Sequence, residues 1–208
     1  MATDRFDLLI RNGDVIDGTG SPRIKADVGV RGDRIAAIGD LSRARGAVEA
    51  NAAGRVVCPG FIDVHTHDDN ALLDQPDMFH KTSQGVTSVV IGNCGISLAP
   101  FTLSGDRAEP PLDLLGSRFD FPRMADFFDR LDRQPAAANA AVLCGHTTLR
   151  FGAMDRVDRP ASDDEIAAMR DRLGEALDAG VVGMSTGLAY EPAMPAPTSE
   201  ILRLAELL

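Results

Sequence analysis

His65 and His67 stand one residue apart in the run "FIDVHTHDDN", with Asp68 and Asp69 directly behind them. Two imidazoles this close can bind one metal ion side by side, and zinc is the usual occupant of such nitrogen and sulfur donors. An apolar run leads into the motif, and polar groups buried at its end are costly unless something binds them. Residues two apart on a strand face the same way, so both rings are expected to look into one space. Cys94, in "VVIGNCGIS", is the third candidate ligand. Gly92 and Gly95 around it shape a loop rather than a packed core, and a thiol beside zinc is deprotonated and ligates strongly. Cys58 and Cys144 lie in apolar runs and read as core. His146, in "CGHTTLR", reads equally as a lining residue or as a hydrogen-bonded structural histidine, and His80 is given no role. Tyr190, the one tyrosine, follows "STGL", where its phenol can reach a substrate or pack within a loop.

Such groups need strands to carry them. Residues 1–58 read as a small β-domain, β-sandwich-like, built of short strands and turns. "FDLLIRNGDVIDGTG" predicts a hairpin at Asn12-Gly13, and "ADVGVRGDRIAAIG" a second at Gly32-Asp33. From residue 59 the pattern becomes strand, then helix, in four units ending at residue 208. The strands are "FIDVHTH", "VTSVVIGN", "NAAVLCGH" and "VVGMSTGL". The helices are "DMFHKTSQG", "MADFFDRL", "SDDEIAAMRDRLGEALDAG" and the start of "TSEILRLAELL", while residues 96–121 read as a long loop. In the third helix Ser162 and Glu165 can form a capping box and Gly180 a stop. Nearly all-apolar strands alternating with helices predict an α/β fold with a parallel sheet. Its unusual polar residues fall just past strand ends, as at the mouth of a (β/α)8 barrel. No glycine-rich phosphate fingerprint follows the first strand, which weakens a doubly wound nucleotide-binding sheet.

The chain has 208 residues, with 31 acids against 21 bases and a formal net charge of −10. That balance argues against nucleic acid, which needs a clustered basic patch. No apolar stretch is of membrane-spanning length, and the first residues do not read as a secretory signal. A cytoplasmic protein is the expectation. Three cysteines, odd in number and widely spaced, argue against a disulfide framework.

"PGFIDVHTHDDN", "SQGVTSVVIGNCGISLAP", "CGHTTLRFGAM" and "GMSTGLAYEP" resemble the N-acyl-D-amino-acid deacylases (D-aminoacylases) of the amidohydrolase superfamily. The opening "FDLLIRNGDVIDGTG" resembles that superfamily's N-terminal β-domain. The resemblance implies a zinc-dependent hydrolase that cleaves the amide of a small-molecule N-acyl-D-amino acid. It places His65 and His67 on the family's first pair of metal ligands. Cys94 falls on a cysteine ligand that can bridge two metal positions, and Tyr190 on a tyrosine of the substrate pocket. Many relatives instead bridge two metals with a carboxylated lysine on the fourth strand. Here that strand has none, and neither Lys25 nor Lys81 lies on a barrel strand.

The family's site also implies two histidines from the fifth and sixth strands and an aspartate after the eighth. All four histidines here lie at or before residue 146, and a complete barrel takes about 250 residues. The expectation is therefore the N-terminal part of a longer enzyme, an incomplete barrel without turnover by itself. Its exposed sheet edges are expected to favour self-association. The opposing reading is a non-catalytic half-barrel that at most binds metal or a partner.

Overall fold

Alternating apolar residues wrap the first of two units, Met1–Gly60, around its opening strand. The computed structural model describes residues 4–105 and 107–208. β1 (Arg5–Val15), β2 (Ile24–Arg31), β3 (Arg34–Gly39), β4 (Arg45–Asn51) and β5 (Val56–Val57) form one sheet. β1 pairs antiparallel with β2 and parallel with both β4 and β5. Phe6, Leu9 and Ala44 pack in one small core, Val15, Ala26 and Val28 in another.

Asn12-Gly13 makes no hairpin. β1 runs through it, with a register shift between Ile10 and Gly13. The left-handed backbone of Asn12 (φ 62°) serves a β-bulge instead, and its N–H donates to Asp27 Oδ1 at 2.8 Å. Gly32-Asp33 does turn β2 into β3, as expected. Among the described residues this unit holds a single five-stranded sheet, with no second sheet facing it. Cys58 is exposed rather than core, because the apolar run that carries it is itself at the surface: β5 ends at Val57 and Val56 is exposed.

The second unit, Phe61–Leu208, is α/β. It opens with β6 (Phe61–Asp63), α1 (Ala71–Asp74), α2 (Phe79–Thr82) and β7 (Val86–Ile91). Residues 96–121 are not bare loop: β8 (Phe101–Thr102) and β9 (Asp120–Phe121) pair antiparallel, with a 3-10 turn at Leu112–Leu115 between them. α3 (Met124–Arg133), β10 (Asn139–Gly145), α4 (His146–Ala153), α5 (Asp163–Ala179), β11 (Gly183–Ser185) and α6 (Thr198–Ala205) follow. The main sheet has the order β11-β10-β7-β6 and is parallel throughout. Each of its strands lies beside the one before it, with no reversal of direction. That is the winding of a barrel, here a half-barrel, and not of a doubly wound sheet.

α5 shows how local sequence sets an element. Ser162 Oγ accepts the Glu165 N–H at 3.3 Å, and Glu165 Oε2 accepts the Ser162 N–H at 2.8 Å. Gly180 stops the helix with φ 113°. Ile166, Met169, Leu173 and Ala176 form its buried face. Ser162→Ala is expected to cost about 1 kcal/mol, the usual value of such a cap, read as a lower urea midpoint with an unchanged slope.

α4 has no counterpart in the sequence reading. It begins at His146, immediately after β10, and buries His146, Thr147, Thr148, Leu149 and Arg150.

Candidate metal centre

The histidine pair sits just beyond β6 rather than on it, because the strand ends at Asp63. Thr66 is the backbone link to the neighbouring strand, its N–H donating to the Val90 carbonyl at 3.3 Å. The two rings still meet, centroids 5.8 Å apart and nearly edge to face. Cys94 arrives from the loop after β7, and its Sγ lies 3.1 Å from His65 Nε2. One donor atom from each of His65, His67 and Cys94 falls within 4.8 Å of the other two.

Cys94 is held in left-handed backbone, φ 56°, a conformation that costs a residue with a Cβ roughly 1–2 kcal/mol. Its neighbours over-determine it. Asn93 Nδ2 donates to the Val90 carbonyl at 2.7 Å and the Thr66 carbonyl at 3.3 Å. Ser185 Oγ, at the end of β11, accepts the Gly95 N–H at 2.9 Å and donates to the Gly92 carbonyl. Backbone packs on backbone here: a Cβ on Gly187 would overlap the Cys94 carbonyl, and one on Gly145 would come 2.5 Å from the Gly95 carbonyl. The glycines of "IGNCG", "CGH" and "STGL" are what allow three strand ends to converge on Cys94.

Three features fit a metal ion. The donors are two nitrogens and a sulfur, the set that suits zinc. His67 Nδ1 is buried and without a hydrogen-bond partner among the described residues. Burial, helped by His65, also holds the His67 ring below the usual histidine range and so favours the neutral, ligating form. Tyr190 lies beside Cys94, which raises the phenol's pKa.

A model of the amidohydrolase family matches residues 48–206. The chain belongs to the amidohydrolase family. It is 55% identical to a D-aminoacylase of Alcaligenes xylosoxydans xylosoxydans, over 96% of the chain and 41% of that relative. It is 50% identical to an N-acyl-D-aspartate deacylase of the same organism, over 99% of the chain and 41% of the relative. It superposes with a TM-score of 0.93 on an N-acyl-D-glutamate deacylase from Bordetella bronchiseptica, solved with zinc and a phosphonate mimic of the tetrahedral intermediate. That match has 46% identity and covers 98% of this chain and 43% of the other. The chain thus spans about 41% of the length of the curated relatives it matches.

The other candidate residues fall elsewhere. Cys144 is fully buried, and burial pushes its thiol up to about 12, so it is inert core. His146 is fully buried, its Nε2 2.9 Å from Glu200 Oε1 and its Nδ1 without a hydrogen-bond partner among the described residues. His80 meets Asp68 at 3.2 Å. Ser185 closes β11, and its role as the strap of the Cys94 loop depends on pairing across 90 residues, which no local spacing signals. Asp69 is 1% exposed, and burial lifts its carboxyl to about 7. No helix among the described residues is long and apolar enough to cross a membrane.

Proposed function

We propose that this chain supplies the first half of the barrel of a zinc-dependent N-acyl-D-amino-acid deacylase, which releases a carboxylate and a free D-amino acid. The observation that carries the reading is the meeting of His65, His67 and Cys94 donors within 4.8 Å. It is supported by 50–55% identity to deacylases of that class. In this reading residues 1–58 are one part of a composite β-domain and residues 59–208 the opening half of the barrel.

His65, His67 and Cys94 would hold the ion. Bound there, zinc supplies Lewis acidity toward the amide carbonyl and toward water. The Cys94 thiolate would offset the ion's charge, the part played elsewhere by a carboxylated lysine. Tyr190, beside Cys94, would donate its phenolic O–H to the oxygen on which charge develops, as positioned donors do. The ribbon of β8 and β9 with its connecting turn would form part of the cover over the site. Three unpaired cysteines suit a reducing, cytoplasmic compartment.

The test is turnover of N-acetyl-D-methionine and N-acetyl-L-methionine, with zinc added, by a protein of the relatives' length that carries this chain. Hydrolysis of the D-enantiomer alone is expected. Equal hydrolysis of both would overturn the D-selective assignment, and a zinc-loaded protein that cleaves neither would favour the non-catalytic reading.

A further inference from the structure

Asp68 and Asp69 follow the histidine pair directly, yet the donor set that could hold an ion does not include them. The two carboxylates turn to different partners. Asp69 is buried and reaches the Gly92 N–H. Asp68 accepts the Thr66 hydroxyl at 2.6 Å and lies 3.0 Å from Lys81 Nζ on α2.

Lys81 has further contacts. Its ammonium reaches Asp63 Oδ2 at 2.7 Å and Thr66 Oγ1 at 3.3 Å. The other oxygen of Asp63 accepts the His65 N–H at 3.3 Å. One ammonium therefore ties residues 63, 66 and 68, on both sides of His65, to a helix. Val64 to Asp68 lie outside any strand, and their backbone is tied at single points rather than along a ladder: the Thr66 N–H donates to the Val90 carbonyl, the Thr66 carbonyl accepts from Asn93 Nδ2, and the Asp68 carbonyl accepts the Leu72 N–H. The Lys81 and Asp68 side chains are each only 17% exposed, so water screens the pair less than it would a surface pair.

We propose that Lys81 is a positioning residue for the metal-binding pair: by bridging Asp63 and Asp68 it fixes the backbone that aims His65 and His67. The inference rests on reading those histidines as a zinc site. Outer groups that orient ligands in this way typically carry about 10–100-fold in metal affinity. The sign of the effect separates positioning from a simple field. A cation near the site repels another cation, so if charge alone mattered, removing Lys81 would tighten zinc binding. If Lys81 positions the histidines, its removal weakens binding.

The experiment uses zinc and cobalt alone as probes, on the 208-residue chain and its Lys81→Met, Lys81→Arg and Asp68→Asn variants. Zinc affinity is read by competition with a coloured chelator, ligand geometry by the cobalt absorption spectrum, and folding by thermal melting of the metal-free protein. Lys81→Met is expected to bind zinc about 10-fold more weakly, with an altered cobalt spectrum and a metal-free Tm close to wild type. Lys81→Arg should recover most of the loss. Should Lys81→Met fail to fold, Asp68→Asn, which leaves the Lys81–Asp63 pair intact, should show the weaker binding in a folded chain. Wild-type affinity and spectrum in both Lys81→Met and Asp68→Asn, or tighter binding in Lys81→Met, would overturn the positioning role while leaving the zinc site standing. A wild-type chain that binds neither metal, alone or within a protein of the relatives' length, would overturn the zinc site and this inference together.

Discussion

Replacing Glu200 with alanine is expected to destabilise the second unit by about 3–5 kcal/mol, the cost of stranding a buried charge. Arg150 is fully buried and cannot shed its proton. It donates through Nη1 to Glu200 Oε1 at 2.5 Å, through Nε to the Pro192 carbonyl at 2.7 Å, and through Nη2 to the Val157 and Arg159 carbonyls. Glu200 is the one carboxylate paired with it among the described residues. The same carboxylate meets His146 and accepts the Ala161 N–H at 3.3 Å. Deleting it would leave Arg150 charged, dry and without a counterion.

Its pH dependence follows from the direction of the shift. Burial raises the Glu200 carboxyl, but hydrogen bonds from His146 and Arg150 outweigh burial and hold it below its ordinary value. A depressed folded pKa contributes stability that is present above the unfolded value of about 4.3 and is lost as pH falls through the folded one. Urea midpoints of wild type should therefore fall on acidification below about pH 4, while Glu200→Gln, lower at neutral pH, should fall less steeply. Parallel curves for the two proteins would remove Glu200 from the acid response.

The second large effect concerns Cys94, where stability and metal binding should move in opposite directions. Cys94 sits at φ 56°, and glycine adopts that conformation without a steric penalty. Cys94→Gly should raise the stability of the metal-free chain by about 1 kcal/mol. It should also weaken zinc binding by more than roughly 100-fold, since it removes a ligand rather than a group behind one. Cys94→Ala keeps the strain and loses only the sulfur, so it should lose zinc without the gain in stability. Elemental analysis after dialysis and metal-free urea titrations would decide. Unchanged zinc in both variants would make Cys94 a packing residue, and a Cys94→Gly chain no more stable than Cys94→Ala would mean the loop carries no strain. Strain kept at a ligand and relieved by its removal is a common mark of a functional position.

The second unit was largely legible because its signals are local. Apolar strands, the Ser162–Glu165 box and the glycine stop at Gly180 all act within a few residues, and the structure contains each of them. The misreadings came where a local signal had two uses. Asn12-Gly13 offers positive φ, which serves a hairpin or a bulge, and pairing with β2 and β4 on either side of β1 selects the bulge. The apolar run into His65 looked like strand to its end, but pairing with β7 stops at Asp63. α4 was missed because "HTTLRFGA" carries two β-branched residues, a glycine and an arginine, poor signs of a buried helix. Only its partners explain it: Arg150 and His146 are tolerable inside once Glu200, fifty residues away, is beside them. The candidate centre was legible as residue types, whereas the strap from Ser185 and the brace from Lys81 are tertiary and left no trace in spacing.

The order of the main sheet bears on how the protein is made. Its strands stand side by side in the sequence in which they leave the ribosome: β6, β7, β10, β11. Each new strand finds its partner's edge already present, so no earlier strand must wait for a later one to be inserted beside it. Pairing between neighbours also makes each closing segment shorter than pairing out of order would, which lowers the entropy lost at every addition. The loop around Cys94 is the exception. It can form once β7 is out, but the serine that clasps it comes about ninety residues later. At a synthesis rate of about 5–20 residues per second, the nascent chain would hold that thiol on an unfastened loop for several seconds before β11 arrives to lock it.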